Sequence, residues 1–117
     1  MITHVPAEEW AEWLAGFTER NAGRRTSIEV DESEVGAQRQ ETGYSLQGVA
    51  FDRRDNRVEI MVGSFEGAGA HLARAIGGVR SIDVLEDEHG REIVLRIAYE
   101  SGQTLLRIEP SVRANGG

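Results

Sequence analysis

Residues 79–86, 91–99 and 103–109 are three segments of alternating apolar and polar side chains, separated only by Asp87-Glu88-His89-Gly90 and Ser101-Gly102. A period of two marks each as a strand with one buried face, and reversals this short can only join antiparallel neighbours. Setting Glu86 opposite Arg91 places Val84 opposite Ile93 and Ile82 opposite Leu95. Setting Glu100 opposite Gln103 places Ile97 opposite Leu106 and Leu95 opposite Ile108. Both settings select one apolar face: Ile82, Val84, Ile93, Leu95, Ile97, Tyr99, Leu106 and Ile108. A slip of one residue would turn that face to water, so the agreement constrains the fold.

The N-terminus supplies a cover for such a face. Trp10, Trp13, Leu14 and Phe17 fall at i, i+3, i+4 and i+7, one stripe of a helix. Pro6 suits its opening, Glu8 and Glu9 place negative charge in the first turn, and Gly23 can end it in a left-handed conformation. These signals predict helix over 6–22.

Between the helix and the three strands the period is again two. Residues 26–30, 46–52 and 57–63 read as strands, the last two joined by a turn at Arg53-Arg54-Asp55-Asn56, and polar 36–42 reads as an edge strand. The alanines and flanking glycines of His71-Leu72-Ala73-Arg74-Ala75-Ile76 predict a short helix. The expected fold is α+β: an N-terminal amphipathic helix packed on a curved antiparallel sheet of six to seven strands, with a short helix inserted midway. A closed or half-open barrel is the alternative. At 117 residues the chain is read as one domain, with a folded core over 5–110 and a frayed tail over 111–117.

Charge and composition narrow the function. Twenty acidic residues face thirteen basic ones, all arginine, giving a formal charge of −7. With no lysine there is no Schiff-base chemistry, and with no cysteine no thiol nucleophile, thiolate metal site or disulfide. An acidic chain lacks the dense cationic face that nucleic acid or anionic lipid requires. No signal peptide and no membrane span is legible, so a cytoplasmic location is expected. The three histidines lack metal-ligand spacing, and no cofactor or metal is expected. Gly63-Ser64-Phe65-Glu66-Gly67 sets its serine one position early for a nucleophile elbow, so no catalytic residue is assigned and an enzyme is the least favoured class.

Two candidate sites remain. The glycine-rich stretch 63–70, followed by a helix start, is the layout that presents backbone N–H groups to an anion, with Gly67, Gly69, His71, Arg74 and Arg80 as ligand-binding candidates. On the solvent face of the C-terminal strands the register above sets Arg96 opposite Arg107, with Leu105, Val94 and Ala98 around them. Opposed like charges invite an acidic group from a partner protein or a second subunit. The leading expectation is a non-catalytic module working by protein contact or as a homodimer. The alternative is a small-anion or small-ligand domain.

The Trp10-x-x-Trp13-Leu14-x-x-Phe17 stripe, Gly36-Ala37-Gln38, Leu46-x-Gly48-Val49, the strand around Ile60, His71 and the closing Thr104-Leu105-Leu106-Arg107-Ile108 together resemble a family of small bacterial domains of unknown function. The resemblance spans most of the chain. It implies a stand-alone bacterial protein and brings no activity, ligand or catalytic residue.

Overall fold

In the computed structural model, which describes residues 1–32, 37–64 and 71–109 (37–41 by backbone alone), the helical stripe and the alternating faces meet in one core. Strand β1 (Ile2–Val5) leads through a 3-10 turn (Ala7–Glu9) into helix α1 (Trp10–Asn21). Seven strands follow: β2 (Arg25–Glu32), β3 (Ala37–Asp52), β4 (Arg57–Ser64), β5 (His71–Gly77), β6 (Val79–Glu86), β7 (Glu92–Tyr99) and β8 (Gly102–Ile108). They form one antiparallel sheet in the order β1-β6-β7-β8-β2-β3-β4-β5. The helix-on-antiparallel-sheet class is therefore as expected, with eight strands rather than six to seven.

The 16-residue β3 organises the sheet. Its first part pairs with β2 through Ser45, and its second part pairs with β4 from Tyr44 onward. Each part carries one extra residue. Gly43 is skipped between the Thr26–Tyr44 and Ser27–Thr42 pairs, and Gln47 between the Leu46–Val62 and Gly48–Met61 pairs. Such bulges bend a strand and sharpen its twist. Gly43 sits at φ +81°, a backbone state that side chains resist. The bend switches the buried positions from Leu46 to Val49.

Where β2 ends, the helix takes over the free edge of β3. The Thr18 hydroxyl donates to the Val49 carbonyl at 3.0 Å and accepts from the Val49 N–H at 2.9 Å. The chain leaving the helix completes this edge: the Gly23 N–H donates to the Leu46 carbonyl, and the Leu46 N–H to the Arg24 carbonyl. Gly23, at φ +87°, makes the predicted left-handed stop. At the other end, the Trp10 indole N–H donates to the Val5 carbonyl at 2.9 Å, and its ring meets Phe51 edge-on at 5.2 Å. Trp10, Leu14 and Phe17 are buried, as are Ile82, Val84, Leu95, Ile97, Leu106 and Ile108.

Four expectations are corrected. Residues 71–76 form strand β5, because the free edge of β4 captures them: Arg57 pairs with Gly77 and Gly63 with His71. Ladder hydrogen bonds override the helix preference of two alanines. The polar stretch 36–42, expected as a separate edge strand, is for its described part (Ala37 onward) continuous with 46–52, and the sheet ends instead at β1 and β5. Both C-terminal hairpins are set two residues from the expected register: Val84 pairs with Leu95 and Ile82 with Ile97, while Leu95 pairs with Leu106 and Ile97 with Thr104. In the first, Glu86 pairs with Glu92 rather than Arg91 and an extra residue at Ile93 adds the second step; a two-residue turn, Glu100-Ser101, sets the other. A shift of two preserves a side chain's face, so Ile82, Val84, Leu95, Ile97, Leu106 and Ile108 are buried as expected, whereas Ile93, in the bulge, and Tyr99 are only partly buried. Arg96 and Arg107, however, are not opposed: Arg96 pairs with Leu105, and Arg107 with Val94. Residues 110–117 lie outside the described residues, as does the tail assigned to 111–117.

Two glycine substitutions separate strain from collision. A Cβ at Gly102 would collide with the Asp31 carbonyl and lie 2.7 Å from the Glu32 Cα, backbone that cannot step aside. A Cβ at Gly43 meets only the end of the Arg25 side chain at 3.5 Å and costs the left-handed strain, about 1–2 kcal/mol. In urea unfolding Gly102→Ala is expected to lose more stability than Gly43→Ala.

Candidate functional site

The solvent face of β1, β6, β7 and β8 carries the first candidate. Register aligns Ile2, Leu85, Val94 and Arg107 in one cross-strand row, and His4, Asp83, Arg96, Leu105 and Glu29 in the next. Ile2, Leu85, Val94 and Leu105, with the Asp83–Arg96 pair, line a groove of about 230 Å³. Each arginine has its own carboxylate: Arg96 lies 3.2 Å from Asp83 and Arg107 3.2 Å from Glu29. His4 shares Asp83 at 2.9 Å. The centre of the face is apolar and its flanking charges cancel. Met1 and Ile2, 82% and 71% exposed, are the large hydrophobic side chains most open to solvent among the described residues.

Inside the sheet, Arg74 of β5 reaches toward the opposite strands. Its Nε donates to the Thr104 hydroxyl at 3.2 Å, and its terminal nitrogen to the Tyr99 hydroxyl at 3.3 Å and to Glu32 at 3.5 Å. The Tyr99 hydroxyl also donates to Glu32 at 3.0 Å and lies 3.0 Å from that of fully buried Thr104. These bonds tie β5 to β2, β7 and β8 across the core. A buried polar group left without partners would cost about 1–3 kcal/mol, so the network stabilises as a unit.

The third constellation joins the end of the helix to the start of β7. The Arg20 guanidinium grips Glu92 with two bonds, 3.0 and 2.7 Å, and the Asn21 side chain donates to the same carboxylate at 2.9 Å. Arg24 donates to the Asn21 side-chain oxygen and to the Glu109 carbonyl. Burial pushes the Glu92 carboxyl upward, but the hydrogen bonds from Arg20 and Asn21 and the charges of Arg20 and Arg24 outweigh it, holding the group below its ordinary range. The turn beyond is closed by Asp87, whose side chain accepts from the backbone N–H groups of His89 (2.8 Å) and Arg91 (2.9 Å). Those bonds, Arg91's first, hold Asp87 low as well. Trp13 stacks on Phe17 at 5.5 Å with Arg20 over its ring, and is partly buried against the core, as expected of the stripe.

Of the residues assigned to a ligand site from sequence, the three that are described, His71, Arg74 and Arg80, are not gathered into one place. Gly67 and Gly69 lie outside the described residues. His71 is exposed beside Gln47, Arg74 is turned inward, and Arg80 is exposed, 3.8 Å from Glu100. By contrast Arg96 and Leu105 share the outer groove, with Arg107 on the same face. Among the described residues no group of three or more His, Asp or Glu side chains is placed to hold a metal, and no helix is long and apolar enough to cross a membrane.

The molecule is thus a small α+β domain in which one helix seals an eight-stranded antiparallel sheet. Over residues 1–106 it matches the model of a family of unknown function, DUF5335, and the chain belongs to that family. Comparison with curated proteins and with solved structures gives no match.

Because Glu92 titrates lower folded than unfolded, its contribution is full above the ordinary glutamate range, near 4.3, and is lost as pH falls through the folded value. Glu92→Gln is expected to lower stability at pH 7 by about 1–3 kcal/mol, since a charged acceptor is removed. Its denaturation midpoint should also fall less steeply between pH 6 and pH 3 than that of the wild type, on the order of one group's titration.

Proposed function

We propose that this domain works by protein contact, pairing with a second copy of itself through the outer face of β1, β6, β7 and β8. The observation that carries the reading is the groove of Ile2, Leu85, Val94 and Leu105, an apolar centre held between neutralised ion pairs. Apolar side chains surrounded by polar ones are the ordinary anatomy of a contact surface. The occupant follows from charge. The chain carries −7 overall, so two copies repel through most of their surface. On this face Arg96 balances Asp83 and Arg107 balances Glu29, and a locally neutral patch escapes that penalty. Its mixed signs also allow the arginines of one copy to meet the carboxylates of the other under a two-fold axis, where the same patch serves both sides.

Sedimentation equilibrium tests this directly. A reversible dimer is expected at high protein concentration, on the order of 0.1–1 mM for a patch this small. Leu105→Glu, which places an unpaired acid in the groove, should return the chain to monomer with its far-ultraviolet spectrum unchanged. A wild type that stays monomeric throughout, or a Leu105→Glu variant that dimerises equally well, contradicts the proposal.

A further inference from the structure

An open cleft of about 510 Å³ lies where the last turn of α1 meets the β6–β7 turn. Its wall includes Trp13, Val84, Arg20, Arg24, Arg91 and Glu92, contributed by segments far apart in sequence. Three arginines and two glutamates, Glu86 and Glu92, line it, an excess of one positive charge in a chain of −7. The charges are unequally committed. Glu92 is saturated by Arg20 and Asn21, which removes it as a counterion for anything else in the cleft. Arg24 makes no ion pair among the described residues; its bonds go to two neutral oxygens, of Asn21 and Glu109. The Arg91 guanidinium makes neither a hydrogen bond nor an ion pair among them, acting only at a distance on exposed Asp87. The Trp13 indole N–H also has no protein acceptor there, whereas that of Trp10 is spent on Val5. One opening thus collects two guanidiniums without a carboxylate partner, of which only that of Arg91 is free of hydrogen bonds, and the Trp13 indole with a donor that has no acceptor there.

Donors without acceptors call for an anion, and guanidinium groups match the two-oxygen geometry of a carboxylate. The accessible part of the Trp13 indole is left wet by a bare inorganic ion and covered by a ligand with a flat apolar body. We infer that this cleft binds a small aromatic carboxylate, its acid group on Arg24 and Arg91 and its ring toward the accessible edge of Trp13. The site is separate from the outer face proposed for self-association, and neither depends on the other.

Benzoate is the probe, with inorganic phosphate as the comparison, titrated into the full chain and followed by amide chemical shifts and tryptophan fluorescence. Benzoate should saturate, shifting amides of Trp13, Arg24 and Arg91 and changing the emission, with phosphate at least about tenfold weaker. Arg91→Ala, at an exposed position, should weaken benzoate about tenfold, the loss of one charge-assisted contact, and Arg24→Gln by a similar factor. A thermal melt of each variant reports whether it is folded, and Arg91→Ala stands as the decisive one should Arg24→Gln unfold. No saturable shift in the cleft, unchanged affinity in Arg91→Ala, or phosphate binding as tightly as benzoate would each overturn the assignment.

Discussion

The bend in β3 is the constraint on which the rest of this structure depends. A strand of sixteen residues would, if straight, carry both neighbours along one flat sheet and leave the helix only a face to lie on. Two extra residues, Gly43 and Gln47, turn it instead, so that its first part belongs with β2 and its second with β4. The edge exposed by that divergence is the seat of the helix. Thr18 occupies both backbone groups of Val49, as a paired strand would, and the chain leaving the helix bonds Leu46. Helix and sheet are therefore joined by hydrogen bonds to the β3 backbone, from the Thr18 side chain and from the chain just beyond the helix, as well as by the burial of Trp10, Leu14 and Phe17. That requirement for satisfied edge groups fixes the helix position more tightly than apolar contact alone.

From this frame the polar features follow by position. The helix ends against the start of β7, which brings Arg20 and Asn21 to Glu92 and opens the cleft beside Trp13. The far strand β5, held only by β4 in the ladder, is tied across the interior by Arg74 to Glu32, Tyr99 and Thr104. The other edge, β1, is anchored by the Met1 amino group on the Glu86 carbonyl and by His4 on Asp83. Each sheet edge thus has its own polar fastening, and what is left outward between them is the groove around Leu105.

Period and parity made the class of fold legible: most of the side chains named by the helical stripe and by the alternation over 79–109 are buried. The absolute register was not legible: in the first hairpin Glu86 pairs with Glu92 rather than Arg91, and a one-residue bulge at Ile93 adds a second step. In the other a two-residue turn shifts the pairing by two, while Leu95, Ile97 and Leu106 keep their face. The expected Arg96–Arg107 opposition depended on that absolute value and was lost with it, although both arginines remained on the outer face beside Leu105 and Val94. β1 is four residues long, too short to show a period. In β5 two alanines conceal the alternation of Leu72, Arg74 and Ile76, and only the partner strand resolves it. The cleft by Trp13 had no local signature, since Arg24, Val84 and Arg91 come together only when the helix docks. Glu32 and Tyr99 were missed for the same reason, meeting Arg74 across the interior.

Hydrogen exchange at the amide of Val49 probes the seat of the helix most directly. That N–H points at Thr18 rather than at β4, so its protection reports helix docking and nothing else. It should exchange as slowly as the amide of Leu46, which bonds the Arg24 carbonyl on the same edge, both opening only with the whole domain. Exchange of Val49 at the rate of an exposed amide, with Leu46 still protected, would contradict the claim that the helix completes this edge of the sheet.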